Sequence, residues 1–348
     1  MKILYIGPRQ GPVSGSRRPG ALRRLGHDVT VVDPRDALPR WTIVDWWSFH
    51  AAGLGLAWLV ERHVLRQAGG RRFDVAFVDV GVLVSPTLVR KLKRIAGTVL
   101  CFNMDNPFTA RDGSRWRLFL KALPEYDLVA FPRASSIAPA YARGARNVMQ
   151  VRHAADELLI EQAAMSAEER KRFERDVVFV GTWMPERGPF MRRLIELGVP
   201  LRIFGPRWHK ALEYPLLASH ISPGPLVGAD YAKTLGAANI CLALLSKGNE
   251  DLYTSRSSEI PALGRVLCGE RTADHLAMYI EDEEAVFFDT AEECAEKCLA
   301  LLADRPRLER IAAAGHQRAI RNGTFAETQL RQLLEHATDP LHGTVPRS

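Results

Sequence analysis

A repeated rhythm constrains this chain more than any other feature. Short, almost wholly apolar runs alternate with helix-like stretches along nearly its whole length. In the first half the runs are KILYIG (2–7), HDVTVVD (27–33), DVAFVDV (74–80), TVLCFN (98–103), DLVAFP (127–132) and NVMQV (147–151). Runs this apolar, with little polar alternation, suit a parallel sheet covered on both faces. PTLVRKLKRIAG (86–97) reads as a helix ending at Gly97. A polar helix over 157–175 leads to a second series: DVVFVG (176–181), PLRIFG (200–205), ANICLALL (238–245), RVLCG (265–269) and AVFFD (285–289). Strand–helix alternation of this kind builds doubly wound α/β sheets, and two series in 348 residues imply two domains. They are expected at 1–155 and 156–338, with a disordered tail over 339–348. The last helices, from Arg305 to His336, are expected to pack on the second domain and to cross back over the first.

Charge and cysteine content narrow the setting. A net charge of +7 favours anionic substrates or surfaces, but the basic residues are dispersed and no nucleic-acid recognition motif is present. Five cysteines, an odd number lying mostly in apolar runs, read as reduced thiols of a cytoplasmic protein. Cys294 and Cys298 stand one helical turn apart, which reads as helix packing in the absence of metal-ligand neighbours in the sequence. No apolar run is long enough to span a bilayer. The nearest, Trp41 to Leu65, holds four of the chain's seven tryptophans and several charges. It suits core packing, a greasy acceptor pocket, or an interfacial helix making a peripheral membrane contact.

The chemistry gathers at strand ends. The loop after the first run, Gly7 to Gly15, offers Gly11, Ser14 and Gly15, whose backbone N–H groups can approach a phosphate. Its spacing is not that of a dinucleotide fingerprint. Asp105, in Asn103-Met104-Asp105-Asn106-Pro107, follows the fourth strand, where it can accept a proton from a substrate hydroxyl or simply turn the chain. His153 lies at the domain junction as a ligand contact, a hinge or a core residue. In the second half, Ser257 or Ser258 can cap a helix that has Pro261 in its first turn and Gly264 at its end. That cap, the helix N-terminus and Arg256 would converge on an anion, with Glu259 free to accept ribose hydroxyls.

Several of these stretches resemble known glycosyltransferase segments. Leu22 to Val29, with Gly26-His27, is similar to the helix–Gly-His–strand segment that opens many glycosyltransferases of the GT-B fold. Val180-Gly181-Thr182-Trp183-Met184-Pro185-Glu186-Arg187 resembles their V-G-x-x-x-P-E-K/R loop, although many relatives have Arg where this chain has Thr182. Arg256 to Gly264 resembles the R-x-x-E-x-x-A-x-G core of the CgeB-like enzymes. It also matches the end of the E-x(7)-E motif of the wider retaining group 1 family, with Asp251 at the first acidic position.

The resemblance implies two Rossmann-like domains facing a cleft, an acceptor-binding one followed by a donor-binding one. It implies a glycosyltransferase moving a sugar from a nucleotide diphosphate sugar (UDP or GDP) to an acceptor hydroxyl, with retention. The acceptor, whether glycan, lipid, small molecule or protein, stays open. No metal or other cofactor is required, since no D-x-D pair ends a strand. Asp105, His153 and Asp251 are the expected catalytic residues. Gly11, Ser14, Gly15, Gly181, Arg187, Gly205, Arg256, Ser257, Ser258 and Glu259 are the expected donor contacts. A non-catalytic nucleotide-binding or assembly protein and a nucleotide-sugar epimerase of the same fold are the alternatives.

Overall fold

The computed structural model describes residues 1–9, 18–39, 41–50, 55–222, 224 and 226–339. It resolves into two compact units. The first comprises 1–153, 248–250 and the chain from Ala326 on; the second comprises Ala154–Lys247 and Asp251–Phe325.

Strands of the first unit are β1 (Lys2–Ile6), β2 (Asp28–Val32), β3 (Phe73–Asp79), β4 (Ala96–Phe102), β5 (Leu128–Phe131) and β6 (Val148–Gln150). They form one parallel sheet in the order β2-β1-β3-β4-β5-β6. Alternate residues feed two cores. Leu4, Ile6, Ala76, Val78 and Val99 pack on one face, and Ile3, Tyr5, Val75, Phe77 and Leu100 on the other. This two-sided burial is why the strands read as unbroken apolar runs.

In the second unit, β7 (Arg175–Val180), β8 (Leu201–Phe204), β9 (Ile221–Ser222), β10 (Ala238–Ala243), β11 (Val266–Glu270) and β12 (Val286–Phe288) pair in parallel, ordered β12-β11-β10-β7-β8-β9. Each unit is thus a Rossmann-like doubly wound sheet. The strand order reverses between β1 and β3 in the first unit and between β7 and β10 in the second. Such switch points open a crevice beyond the carboxyl ends of the strands, where ligands of open α/β sheets bind.

Several local expectations are corrected. The helix expected to reach Gly97 is Pro86–Leu92, capped by Ser85. Gly97 lies inside β4, where a Cβ would stand 3.0 Å from the Asp74 carbonyl oxygen, so close backbone approach explains the glycine. The polar stretch 157–175 is two short helices, Leu158–Gln162 and Ala167–Phe173, the second opened by a Ser166–Glu169 capping box. The two-residue strand β9 carries too short a pattern to be read.

The last helix, Ala326–Thr338, belongs to the first unit. Leu330, Leu333 and Leu334 complete the core around Ile3, Tyr5 and Phe77, and Glu327 pairs with Arg24 at 2.5 Å. The preceding helix, Arg305–Arg321, stays with the second unit. Of the expected tail, 340–348 lie outside the described residues. Core packing does not hold for the tryptophans of 41–65: Trp41, Trp46, Trp47 and Trp58 are exposed, while Val60 and Val64 supply the buried contacts.

Candidate functional site

The second unit's switch point is built from glycines and one buried arginine. Gly181 closes β7, donating its N–H to Phe204 O at 2.9 Å and accepting from Trp208 Nε1 at 3.0 Å. Gly205 follows β8 with a φ of +130°, and a Cβ there would stand 2.2 Å from Gly181 O. Only glycine permits that approach. Gly205→Ala is expected to cost about 3 kcal/mol and to lower the melting temperature of the second unit by roughly 5–10 °C, read by calorimetric scanning. An unchanged melting temperature would show that the loop relaxes without loss.

Arg187, the first residue of the helix Arg187–Glu196, reaches across this point. Its guanidinium donates to Thr182 O (2.9 Å) beyond β7, and to Leu244 O (3.0 Å) and Leu245 O (3.4 Å) beyond β10. All these acceptors are neutral carbonyls, and among the described residues no carboxylate stands within 4.0 Å of it. Burial lowers its pKa from the usual arginine value; Glu186, Glu270 and Asp251 oppose that, and the charge of Arg256 adds to it. The guanidinium stays charged at neutral pH because the ordinary value is so high.

The helix Ser255–Ala262 supplies the second cation. Thr254, not Ser257 or Ser258, is the N-cap: its hydroxyl accepts from Arg256 N at 3.2 Å, and Ser257 Oγ accepts from Thr254 N at 3.1 Å. Pro261 sits in the last turn rather than the first. Lacking an N–H, it leaves Ser257 O without its helical donor, and the Tyr279 hydroxyl takes that place at 2.8 Å. Gly264, at φ +66°, ends the helix as expected, with Gly264 N on Pro261 O and Arg265 N on Ile260 O. Ser257 and Ser258 are fully buried, and Ser257 Oγ also bonds His275 Nε2 at 2.7 Å. Ser257 therefore holds the cap and the core, not an open anion site.

Arg256, partly exposed, pairs with the buried Glu259 at 2.5 Å. The Tyr231 hydroxyl donates to the same oxygen, Oε2, and the Arg256 guanidinium lies 4.6 Å from the Tyr231 ring centre. Arg256 Nε reaches Val180 O, at the end of β7, at 3.3 Å. Burial works against the Arg256 charge, but Tyr231 and Glu259 outweigh it and the pKa rises. Glu259 Oε1 has no hydrogen-bond partner among the described residues. Gly181, Gly205, Arg187, Arg256 and Glu259 are thus gathered near the carboxyl end of β7. Asp251 stands close enough for its charge to act on Arg187.

In the first unit the switch point holds residues that sequence reasoning missed. Arg18 Nη1 pairs with Asp79 Oδ1 at 2.6 Å, and the Tyr5 hydroxyl donates to Asp79 Oδ2. A readable signal existed, since Asp79 is the one charged residue in Val75–Val80, at the carboxyl end of β3. Gly81 N bonds Asp79 O at 2.8 Å across Val80, whose φ of +67° gives a strained three-residue γ-turn. His153 is buried, and its pKa is pushed down to about 3 by burial first, then by Arg133 and Arg18. It is therefore neutral at physiological pH. Asp105 is half-buried, with Arg115 Nη1 at 3.7 Å, and its N–H donates to Asn103 Oδ1 at 3.0 Å, the turn reading of that segment. Gly11, Ser14 and Gly15 lie outside the described residues.

Cys294 and Cys298 do have a partner: Cys268 of β11 lies 3.9 Å from each sulfur, and all three are buried in the apolar core.

Residues 187–335 match the family described as Glycosyl transferase-like. No protein of curated function matches the sequence. Among solved structures, sucrose-phosphate synthase from Thermosynechococcus elongatus is similar at 12% identity and a TM-score of 0.70, over 96% of this chain and 98% of that one. Anabaena HepE in complex with UDP-glucose is similar at 12% identity and 0.66, over 96% and 98%. The α,α-trehalose-phosphate synthase (UDP-forming) of Burkholderia xenovorans, in complex with glucose-6-phosphate, is similar at 14% and 0.65, over 97% and 100%. Likeness at this identity speaks to the fold, which is GT-B. The chain thus has the GT-B fold, and residues 187–335 carry its match to the glycosyltransferase-like family.

Proposed function

We propose that the chain transfers a sugar from a uridine diphosphate sugar to an acceptor hydroxyl, with the donor at the switch point of the second sheet. One observation carries the reading: two guanidiniums reach the carboxyl end of β7, Arg187 at Thr182 O and Arg256 at Val180 O, beside the backbone turns at Gly181 and Gly205. Arg187 already holds only carbonyls, so an incoming diphosphate would be its anionic partner. UDP-glucose in HepE supports the choice of base. Glu259 Oε1 is the group for a ribose hydroxyl, while Oε2 stays with Tyr231 and Arg256.

Catalysis then rests on orientation and on stabilising the departing diphosphate. With two arginines in that role, we read the transfer as independent of a divalent metal, and retention rests on the likeness of 251–264 to the retaining family. The family description favours transfer over epimerisation.

The test is calorimetry with UDP, GDP and UMP, with and without EDTA, on wild type and Glu259→Gln. UDP should bind most tightly and EDTA should change nothing. Glu259→Gln should weaken UDP binding about 10- to 150-fold, the loss of one charge-assisted acceptor. Equal affinity for UDP in a folded Glu259→Gln protein would remove Glu259 from the donor site and leave it a structural partner of Arg256.

A further inference from the structure

The helix Thr42–His50 faces the wrong way for a helix that merely packs. Ile43, Trp46, Trp47 and His50 follow the i, i+3, i+4, i+7 spacing of one face, and all four are exposed. Val44, off that stripe, packs against the first unit's core. The exposed large residues of this region, Trp41, Ile43, Trp46, Trp47 and Trp58, are between 43% and 69% accessible. The next helix, Ala57–Ala68, buries Val60, Val64 and Ala68. Its outward side carries Trp58, Arg62 and Arg66 at i, i+4 and i+8, all exposed. Its one acid, Glu61, is tied to Lys91.

We infer that these two helices dock the protein onto an anionic lipid bilayer. Tryptophan rings sit at the boundary between headgroups and acyl chains, because they combine a large apolar body with an N–H that wants a polar partner. Arginine stems lie along the same boundary with the guanidinium among the phosphates. Charge also argues against a second copy of this chain as the occupant. A two-fold contact sets a patch against itself, and Arg62 and Arg66 would then meet their own like charges. The inference is independent of the transferase reading, since it uses no residue of the donor site.

The experiment is co-sedimentation of the full chain with phosphatidylcholine vesicles, with and without phosphatidylglycerol, followed by tryptophan emission. Wild type should move to the anionic vesicles with a shift of emission to shorter wavelength, and should be released by high salt. Arg62→Gln/Arg66→Gln should bind about 30-fold more weakly, from roughly fivefold per arginine at the surface. Ile43→Ser/Trp46→Ser should lose both binding and shift while keeping the wild-type melting temperature, since both side chains are exposed. Wild type left in the supernatant with anionic vesicles would overturn the proposal. So would a dimer, seen by light scattering, that the Ile43→Ser/Trp46→Ser change dissolves.

Discussion

Arg256→Ala should lower turnover about 100- to 1,000-fold, the usual cost of removing one preorganised donor to a developing negative charge. The same change strips Glu259 of its cationic partner and leaves Tyr231 as its remaining donor among the described residues. A buried carboxylate deprived of its ion-pair partner costs about 3–5 kcal/mol, so the single variant should also melt earlier. These effects separate in the double variant Arg256→Ala/Glu259→Gln, where the uncompensated charge is gone. Stability should largely return and turnover should not. If turnover returns with stability, Arg256 is a structural residue and the donor site lies elsewhere. Release of UDP from UDP-glucose, followed alongside thermal melting, reads both quantities.

A drop in pH should destabilise the first unit through His153. Its folded pKa, about 3, lies below the ordinary histidine value of about 6.5. Unfolding therefore takes up a proton at intermediate pH. Stability is whole above pH 6.5 and drains away as pH falls toward 3, by about 2 kcal/mol at pH 5. Melting curves of wild type and His153→Asn from pH 7 to 5 should diverge by that amount, the variant being flatter. Glu293, held at about 2 by Arg271, loses its contribution between about pH 4.5 and 2, equally in both proteins, and so drops out of the difference. Imidazole chemical shifts offer a second reading: the His153 signal should stay that of a neutral ring down to pH 4. A normal titration near pH 6.5 would refute the assignment and put a charged histidine back among the candidate acids.

The strands were legible because burial on both faces writes itself as an apolar run. Gly26 and Gly264 were legible because a left-handed residue after a helix asks for glycine, and both have it, at φ +83° and +66°. What sequence could not carry was pairing across the fold. Tyr231 meets Glu259 over 28 residues, and Arg18 meets Asp79 over 61. Cys268 reaches its two partners only because β11 runs beneath the helix Ala291–Ala303. Local rules also misled where two of them competed. Gly97 looks like a helix stop and is a strand residue set by a neighbouring carbonyl. Pro261 looks like a helix start, and is tolerated at a helix end because a distant tyrosine supplies the missing donor.

The last helix gives the first unit a history as well as a shape. Its thirteen residues, Ala326–Thr338, complete a core whose other walls begin at Ile3. During vectorial synthesis the second unit therefore has all its strands outside the ribosome before the first can close. Until then Ile3, Tyr5 and Phe77 lack the leucines that cover them, so of the two units the one begun first is the later to finish folding.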